Sequence, residues 1–257
     1  MTVGYFAPHS PTRVVIGDPA ALVGGISALY LQALHPRAMA GVLEHSSFPD
    51  DFWPRLQRTI AYVTTLAFAD TATADEAVAR VRRIHAHVRG VDPVTGSAYS
   101  ADDPELLRWV HVCEVSSFVG AVHRIGVVDD AQADAFLAEQ VRAAELLGAT
   151  DVPASRAEVA AYFAQVRPEL VASPAAKQAV RRLLVPPMPW KVAWLTPARP
   201  AWAALSSVAI GLLPEWARRL YGLPVLPGAD AMTTAGLWSV RTALMGARQV
   251  TGRHPPG

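Results

Sequence analysis

Residues 106–122 read LLRWVHVCEVSSFVGAV, and this stretch decides the fold. Asp102 or Asp103 can cap a helix whose first position is Pro104, because an aspartate side chain accepts from free backbone N–H groups and proline has none to satisfy. The helix predicted from there to about residue 125 is apolar on nearly every side. Such a helix belongs in the centre of a helical bundle.

Helix signals also dominate the chain on both sides of this stretch. Residues 52–69 repeat apolar side chains about every 3.6 positions, and Thr73-Ala74-Asp75-Glu76 reads as a capping box for a helix that Gly90 ends. After an irregular start, further helices are predicted at residues 19–34, 37–44, 129–147, 155–166, 173–184, 201–213, 215–221 and 229–245. Alternating runs joined by hairpin turns do not occur, so no strand is expected. We predict an all-α fold, a single domain over residues 1–257 with roughly eight to ten helices.

The composition excludes several classes of protein. The formal net charge is +1 and no basic field stands out along the chain, which argues against a nucleic acid partner. Cys113 is the only cysteine, which rules out a disulfide framework and a cysteine-rich zinc site and fits a reducing compartment. The N-terminus lacks the charged and apolar regions of a signal peptide, so we expect a cytoplasmic protein.

The sequence predicts no transmembrane segment. The longest lightly charged apolar run, residues 201–213, has about thirteen residues, whereas a helix needs ~20 to cross a bilayer. Peripheral membrane contact stays open, since residues 185–200 are rich in proline and tryptophan. The tail after residue 252 is expected to be disordered.

The eight histidines are the best chemical lead. None has an acidic residue three positions before it, which excludes the Glu-x-x-His pairs of a di-iron carboxylate bundle. A His-Glu-x-x-His zinc helix, a phosphate-binding Walker loop and a GxSxG nucleophile elbow are also missing from the sequence. Most hydrolases and nucleotide-dependent enzymes are therefore excluded.

Residues 78–90, VARVRRIHAHVRG, contain two of these histidines. Residues two positions apart on a helix point about 200° away from each other, so His85 and His87 cannot both face inward. His85 lies among the apolar positions of the helix, which include Ile84, and His87 lies on the polar side. A buried neutral imidazole is a good iron ligand, although it can equally be a core histidine bonded to a carbonyl. His111, in the most apolar helix, is the rival ligand and has the same alternative.

The helix at residues 52–69 carries two polar side chains on or beside its apolar face. Steps of about 100° per residue place Thr59 inside the apolar arc and Arg55 at its edge. Arginine is seldom buried without a partner, so Arg55 either faces a polar ligand or pairs with an acid such as Glu44 or Glu114. Snorkelling of Arg55 along the edge is the third interpretation.

Four motifs together resemble a known family. They are RLQRT at residues 55–59, RRIHAHVRG at 82–90, SAYSADDPELLRWVH at 97–111 and, upstream, LQALHPRAMAGVLEHS at 31–46. As an ordered set they are similar to the rubber oxygenase (latex-clearing protein) and ER-bound oxygenase catalytic domain family. The resemblance covers residues 15–126 well, and the C-terminal half by length and helicity only.

The resemblance implies a fold, a cofactor and roles for particular residues. It implies a globin-like helical core that binds haem b through a proximal histidine in an Arg-x-x-His motif, which matches Arg82 and His85. It also implies distal roles for Arg55 and Thr59. Arg58 stands where the family has a lysine that can reach the iron, and an arginine cannot be deprotonated to do the same.

The resulting expectation is a haem b-dependent oxygenase that uses O₂. Arg55 would stabilise negative charge on oxygen, Thr59 would orient it or a proton, and Arg82 and Arg89 are candidate partners of the haem propionates. The expected substrate is a small apolar molecule, such as an unsaturated isoprenoid-like compound; the absence of an export signal argues against polymeric rubber. Two alternatives stay open, a helical protein that binds haem or lipid without turnover and a metal-free helical domain. A homo-oligomer is also left open.

Overall fold

The computed structural model describes residues 4–45, 52–223 and 227–251, with the side chains of the last helix up to residue 247. These residues form thirteen α-helices, one turn of 3₁₀ helix at Arg167–Glu169 and two short strands, β1 (Arg89–Val91) and β2 (Ala98–Ser100). The helices are α1 (Pro11–Gly17), α2 (Ala20–Gln32), α3 (Pro36–His45), α4 (Phe52–Phe68), α5 (Thr71–His85), α6 (Pro104–Arg124), α7 (Asp130–Leu147), α8 (Arg156–Val166), α9 (Pro174–Leu184), α10 (Trp190–Leu195), α11 (Ala198–Gly211), α12 (Glu215–Leu220) and α13 (Ala229–Thr251).

The predicted all-α fold is confirmed, with more helices than expected. Two of them, α1 with 7 residues and α10 with 6, had no counterpart in the prediction. Residues 46–51, between α3 and α4, lie outside the described residues, as does the tail after residue 252 that was predicted to be disordered.

The helix predicted to be central, α6, does lie at the centre of the bundle. Its Trp109, Val112 and Cys113 are completely buried. It crosses α2 at very short range, since a Cβ atom on Gly24 would clash with the carbonyl oxygen of Ser117. The crossing is further fixed by Trp109, whose indole N–H donates to the carbonyl of Gln32 over 3.3 Å. Apolar residues on all sides of α6 thus have neighbouring helices to pack against.

The predicted start and end of α5 were wrong. The side chain of Asp70, and not a capping box at residues 73–76, accepts from the backbone N–H of Thr73, and the helix ends at His85 instead of Gly90. Ile84, predicted to be buried, is 58% exposed. Ile84 borders a cavity instead of packed side chains, so helical periodicity alone could not give its exposure.

A small antiparallel hairpin follows α5, so the expectation of no strand was also wrong. Its register pairs Arg89 with Ser100, Gly90 with Tyr99 and Val91 with Ala98. Strands of three residues are too short to show apolar alternation. The hairpin is tied to α3, because the hydroxyl of Tyr99 donates to the carboxylate of Glu44 over 2.5 Å.

Tryptophans join α4 and α9 to the C-terminal part of the chain. The indole N–H of Trp53 donates to the carbonyl of Pro187 over 2.6 Å, and that of Trp202 donates to the carbonyl of Leu183 over 2.7 Å. The rings of Trp53 and Trp202 meet edge to face, with centroids 4.9 Å apart. Among the described helices, none alone has the length and apolar character to cross a membrane; α1 and α2 reach both only when taken together, across an 86° bend.

Candidate functional site

A cavity of about 720 Å³ lies between eight helices, α1 to α7 and α9. Five of the seven predicted site residues line it: Arg55, Arg58, Thr59, His85 and His111. Most of the other lining residues are apolar, among them Phe52, Leu56, Leu66, Val115 and Phe118. The volume falls in the range of about 300–1,000 Å³ that is typical of small-molecule and cofactor sites. The fold therefore gathers residues from separate sequence motifs around one enclosed space.

Helix α4 presents one side to this cavity. Arg55, Thr59 and Tyr62 follow each other at intervals of four and three residues, which places them on one face of the helix. The hydroxyl of Thr59 donates to the carbonyl of Arg55 over 3.1 Å, so its oxygen can still accept a hydrogen bond from the cavity side. Arg58 is more exposed and reaches the cavity from the flank of the same helix.

His85 borders the cavity as the last residue of α5. Burial lowers the pKa of its imidazole, and the positive charge of Arg55 lowers it further against an opposing effect of Asp102. The ring is therefore neutral at pH 7, which is the form that ligates metals. His87 is exposed in the turn that follows the helix, and its Nδ1 lies 2.7 Å from the carbonyl oxygen of Arg83. The two histidines thus have opposite surroundings, as their spacing predicts.

His111 is the second imidazole of the cavity wall. It is almost fully buried on α6, and its Nε2 has no hydrogen-bond partner within the described ranges. Burial lowers the pKa of this imidazole to about 4, and a hydrogen bond with the backbone of Gln140 only partly opposes the shift. A neutral ring with one nitrogen held by backbone and the other unpartnered is also suited to metal ligation. The geometry leaves both histidines as candidate ligands.

Arg82 and Arg89 do not contribute to the cavity wall. Arg82 is exposed and donates to the carbonyl of Leu146 over 3.4 Å. Arg89 forms an ion pair with Asp102 at 3.1 Å, and its side chain is 63% exposed. The structure therefore brings together the predicted distal residues and the histidines, but places these two arginines outside them.

Three polar residues of the cavity were missed as site residues. Glu114 on α6 is enclosed by protein, and burial raises the pKa of its carboxyl to about 7, although the amide of Gln32 on α2, a 3.4 Å donor, lowers it. The hydroxyl of Tyr62 is buried without a partner among the described residues, and its pKa is raised by burial and by Glu114. The sequence held one sign of this polar site, the acidic residue Glu114 inside the apolar stretch at residues 106–122.

The residues present fit a haem. The cavity is large and mostly apolar, it has neutral imidazoles in its wall, and the Nε2 of His111 is a buried nitrogen that lacks a partner among the described residues. In the part of the chain that the structure describes, no group of three or more His, Cys, Asp or Glu side chains could hold a bare metal ion. A haem iron needs only one protein ligand of this kind, because the porphyrin supplies the equatorial nitrogens.

Comparison with known proteins gives the family. Residues 13–245 match the family described as "ER-bound oxygenase mpaB/B'/Rubber oxygenase, catalytic domain". The chain belongs to this oxygenase family. The match confirms the resemblance carried by the motifs and extends it from residues 15–126 through most of the C-terminal half. It also supports the predicted class, an oxygenase domain. No curated protein and no solved structure matches the chain.

Proposed function

We propose that this member of the oxygenase family is a haem b-dependent enzyme that acts with O₂ on an apolar, unsaturated, isoprenoid-like small molecule. The observation that carries the proposal is that His85, Arg55 and Thr59 line the same cavity. These residues come from two helices, with His85 26 positions after Thr59 and 30 after Arg55, and their chemical types suit iron ligation and charge stabilisation.

Each cavity residue has a role in this proposal. Haem b, when bound, would supply the iron centre for oxygen chemistry. His85 would hold the iron, and its lowered pKa keeps the ring in the ligating form. Arg55 would stabilise negative charge that develops on a reacting oxygen atom, and Thr59 would orient that oxygen or its proton. His111 is the alternative ligand.

The remaining arginines have secondary roles. Arg58 would add a second permanent cation beside Arg55 and Thr59. It would not ligate the iron, because a guanidinium cannot be deprotonated as the family's lysine can. Arg82 and Arg89 lie outside the cavity wall and would contact the haem propionates from there. For Arg89 this requires release from Asp102, which exposure of the pair makes inexpensive.

The proposed contact with membranes rests on the C-terminal half. Residues 170–214 contain five Lys or Arg and no Asp or Glu. The same segment exposes Trp190, Trp194 and Leu195, with 66%, 76% and 73% of their surface accessible. Tryptophan prefers the headgroup level of a bilayer, and cations are attracted to anionic lipids. An anionic membrane surface would also concentrate an apolar substrate near the enzyme.

Oxygen uptake tests the proposed activity. Purified protein loaded with haem is supplied with an isoprenoid alkene, and dissolved O₂ is followed with an electrode while carbonyl products are analysed by mass spectrometry. We expect continuous uptake with the alkene and none with the fully saturated hydrocarbon of the same skeleton. Haem-loaded protein that binds both hydrocarbons but consumes no O₂ would instead favour a binding protein without turnover.

A further inference from the structure

The cavity contains a polar corner that the proposed oxygen chemistry does not use. The corner consists of Tyr62 on α4, Glu114 on α6 and Gln32 on α2. The tyrosine hydroxyl is buried without a partner among the described residues, and the carboxyl of Glu114 has one long hydrogen bond, 3.4 Å from the Gln32 amide. Buried polar groups are nearly always hydrogen-bonded, so groups left unsatisfied beside a cavity indicate a missing ligand.

We propose that Tyr62 and Glu114 form a subsite that binds the oxygen function of the substrate, a hydroxyl or a carbonyl at one end of an otherwise apolar molecule. This inference rests on the proposed function in that it treats the ligand as the substrate. The surrounding wall is apolar, with Phe6, Leu66 and Phe118 among its residues, and therefore accepts the hydrocarbon part. The preferred substrate is thus an isoprenoid-like alcohol, aldehyde or ketone, bound more tightly than the plain alkene of the same skeleton.

The three residues could together bind one oxygen atom of a ligand. Gln32 is fixed by a second hydrogen bond from its amide to the carbonyl of Val110, 3.2 Å long, and so holds one oxygen of Glu114 in place. A ligand hydroxyl could accept from Tyr62 while it donates to Glu114 in its ionised form. A ligand carbonyl could accept from Tyr62 and from protonated Glu114. The subsite therefore serves either oxygen function.

The subsite also sets the position of the reaction along the substrate. Tyr62 follows Arg55 by seven residues on α4, which separates their backbones by about 10 Å along the helix axis. A substrate anchored by its oxygen at Tyr62 would extend its hydrocarbon chain toward Arg55 and Thr59. The reacting double bond would then lie several carbon–carbon bonds away from the anchored oxygen.

Calorimetry with a matched pair of ligands tests the subsite. The ligands are geraniol and 2,6-dimethyl-2,6-octadiene, which share a ten-carbon diene skeleton and differ by one hydroxyl. Titrations use haem-loaded protein without O₂, so nothing is turned over. We expect the wild-type protein to prefer the alcohol, and Tyr62→Phe and Glu114→Leu each to weaken alcohol binding by about three- to tenfold. Affinity for the hydrocarbon should stay unchanged, which also shows that the variants are folded.

The control is Tyr162→Phe, since Tyr162 is a half-buried tyrosine on α8 outside the cavity wall. It should leave both affinities unchanged. Equal affinity of wild-type protein for both ligands, or an alcohol preference that survives in Tyr62→Phe and Glu114→Leu, overturns the subsite. If the protein takes up no haem, the same titrations run on it as purified, so failure of the proposed function and failure of the subsite give different results.

Discussion

The buried carboxyl of Glu114 should make stability depend on pH. Burial raises its pKa from an ordinary 4.5 to about 7. Below pH 4.5 the group is protonated in folded and unfolded chains, and it costs nothing. From pH 4.5 to 7 the unfolded chain releases the proton first, so the free energy of unfolding falls, by roughly 3 kcal/mol in total above pH 7. A buried acid that lowers stability is typical of a functional site.

Glu114→Gln removes this ionisation and should therefore be more stabilising at pH 8 than at pH 5. Urea unfolding at both pH values measures the difference. The matched control is Glu76→Gln, since Glu76 is exposed on α5 and should give the same small effect at both pH values. Equal effects of Glu114→Gln at the two pH values would show that the carboxyl is not held in its neutral form.

Arg55 should be required for turnover and not for haem binding. Its guanidinium lines the cavity and lowers the pKa of His85, so its charge acts directly on the site. We expect Arg55→Ala to reduce kcat by about 10²- to 10³-fold while the haem spectrum stays unchanged. Arg80→Ala, at an exposed position of α5, is the control and should be fully active. Full activity of Arg55→Ala would exclude the distal role.

Some residue assignments followed from helical spacing and others could not. The inward positions of Arg55 and Thr59 follow from 100° steps on a helix. His87 is exposed as predicted, but it lies in the turn after α5 and not on the polar side of a continued helix. Tyr62 and Glu114 escaped prediction as site residues because spacing shows which side of a helix is buried, but not whether it borders a cavity. That distinction depends on which helices are neighbours in the fold.

The crossing of α2 and α6 depends on a single glycine. A Cβ on Gly24 would clash with the Ser117 carbonyl and lie 2.9 Å from the Cα of Phe118, and both are backbone atoms that cannot move aside alone. Gly24→Ala should therefore lower the free energy of unfolding by about 1–3 kcal/mol. Gly120→Ala on α6 is the control, because its added Cβ would have no atom within 4 Å from other helices or side chains of the described residues.

Urea unfolding measures both glycine variants. Gly120→Ala should be neutral or stabilising by up to about 1 kcal/mol, since alanine is the better helix former. Similar stabilities of Gly24→Ala and the wild-type protein would mean that the two central helices are not as close as described.

Helices with strong caps were predictable, and the segment after α5 was not. Asp103 accepts from Glu105 and Asp129 from Gln132, as their positions before helical stretches predict. The sequence around His85 continues in a helical pattern, yet the chain turns there and enters β1. Pairing of Gly90 with Tyr99 stabilises the hairpin, and a Cβ on Gly90 would lie 2.7 Å from the tyrosine hydroxyl. Such contacts between distant residues override local propensity.

At the scale of the whole molecule, the exposed tryptophans should bind anionic membranes. We expect the protein to co-sediment with vesicles that contain phosphatidylglycerol, and less with neutral vesicles or in high salt. Replacing Trp190 and Trp194 by alanine should abolish co-sedimentation. Trp238→Ala is the control, because Trp238 is 45% exposed on α13 and lies outside this segment.

The charges of the same segment should contribute separately. Lys191→Gln and Arg199→Gln should each weaken vesicle binding by about fivefold, since each cation near an anionic surface contributes about 1 kcal/mol. Arg80→Gln and Arg83→Gln, at exposed positions of α5, are the controls and should change nothing. Equal binding to neutral and anionic vesicles, or loss of binding in the α5 variants, would contradict this surface.

Fold class and family were within reach of the sequence, whereas the cavity was not. Apolar periodicity and caps gave the helices, and four short motifs gave a family that the match over residues 13–245 confirms. A cavity of 720 Å³ is a property of how eight helices pack, which no local pattern contains. The central proposal is that this cavity holds a haem through His85.

Haem titration followed by absorption spectroscopy tests that claim most directly. Wild-type protein and His87→Ala should each bind one haem and show the same Soret band, since His87 is exposed away from the cavity. His85→Ala should lose the band or shift it, and added imidazole should restore it, whereas His111→Ala should keep it. An unchanged spectrum in His85→Ala, with the band lost in His111→Ala, would assign the iron to His111. The absence of a Soret band in wild-type protein would contradict haem binding altogether.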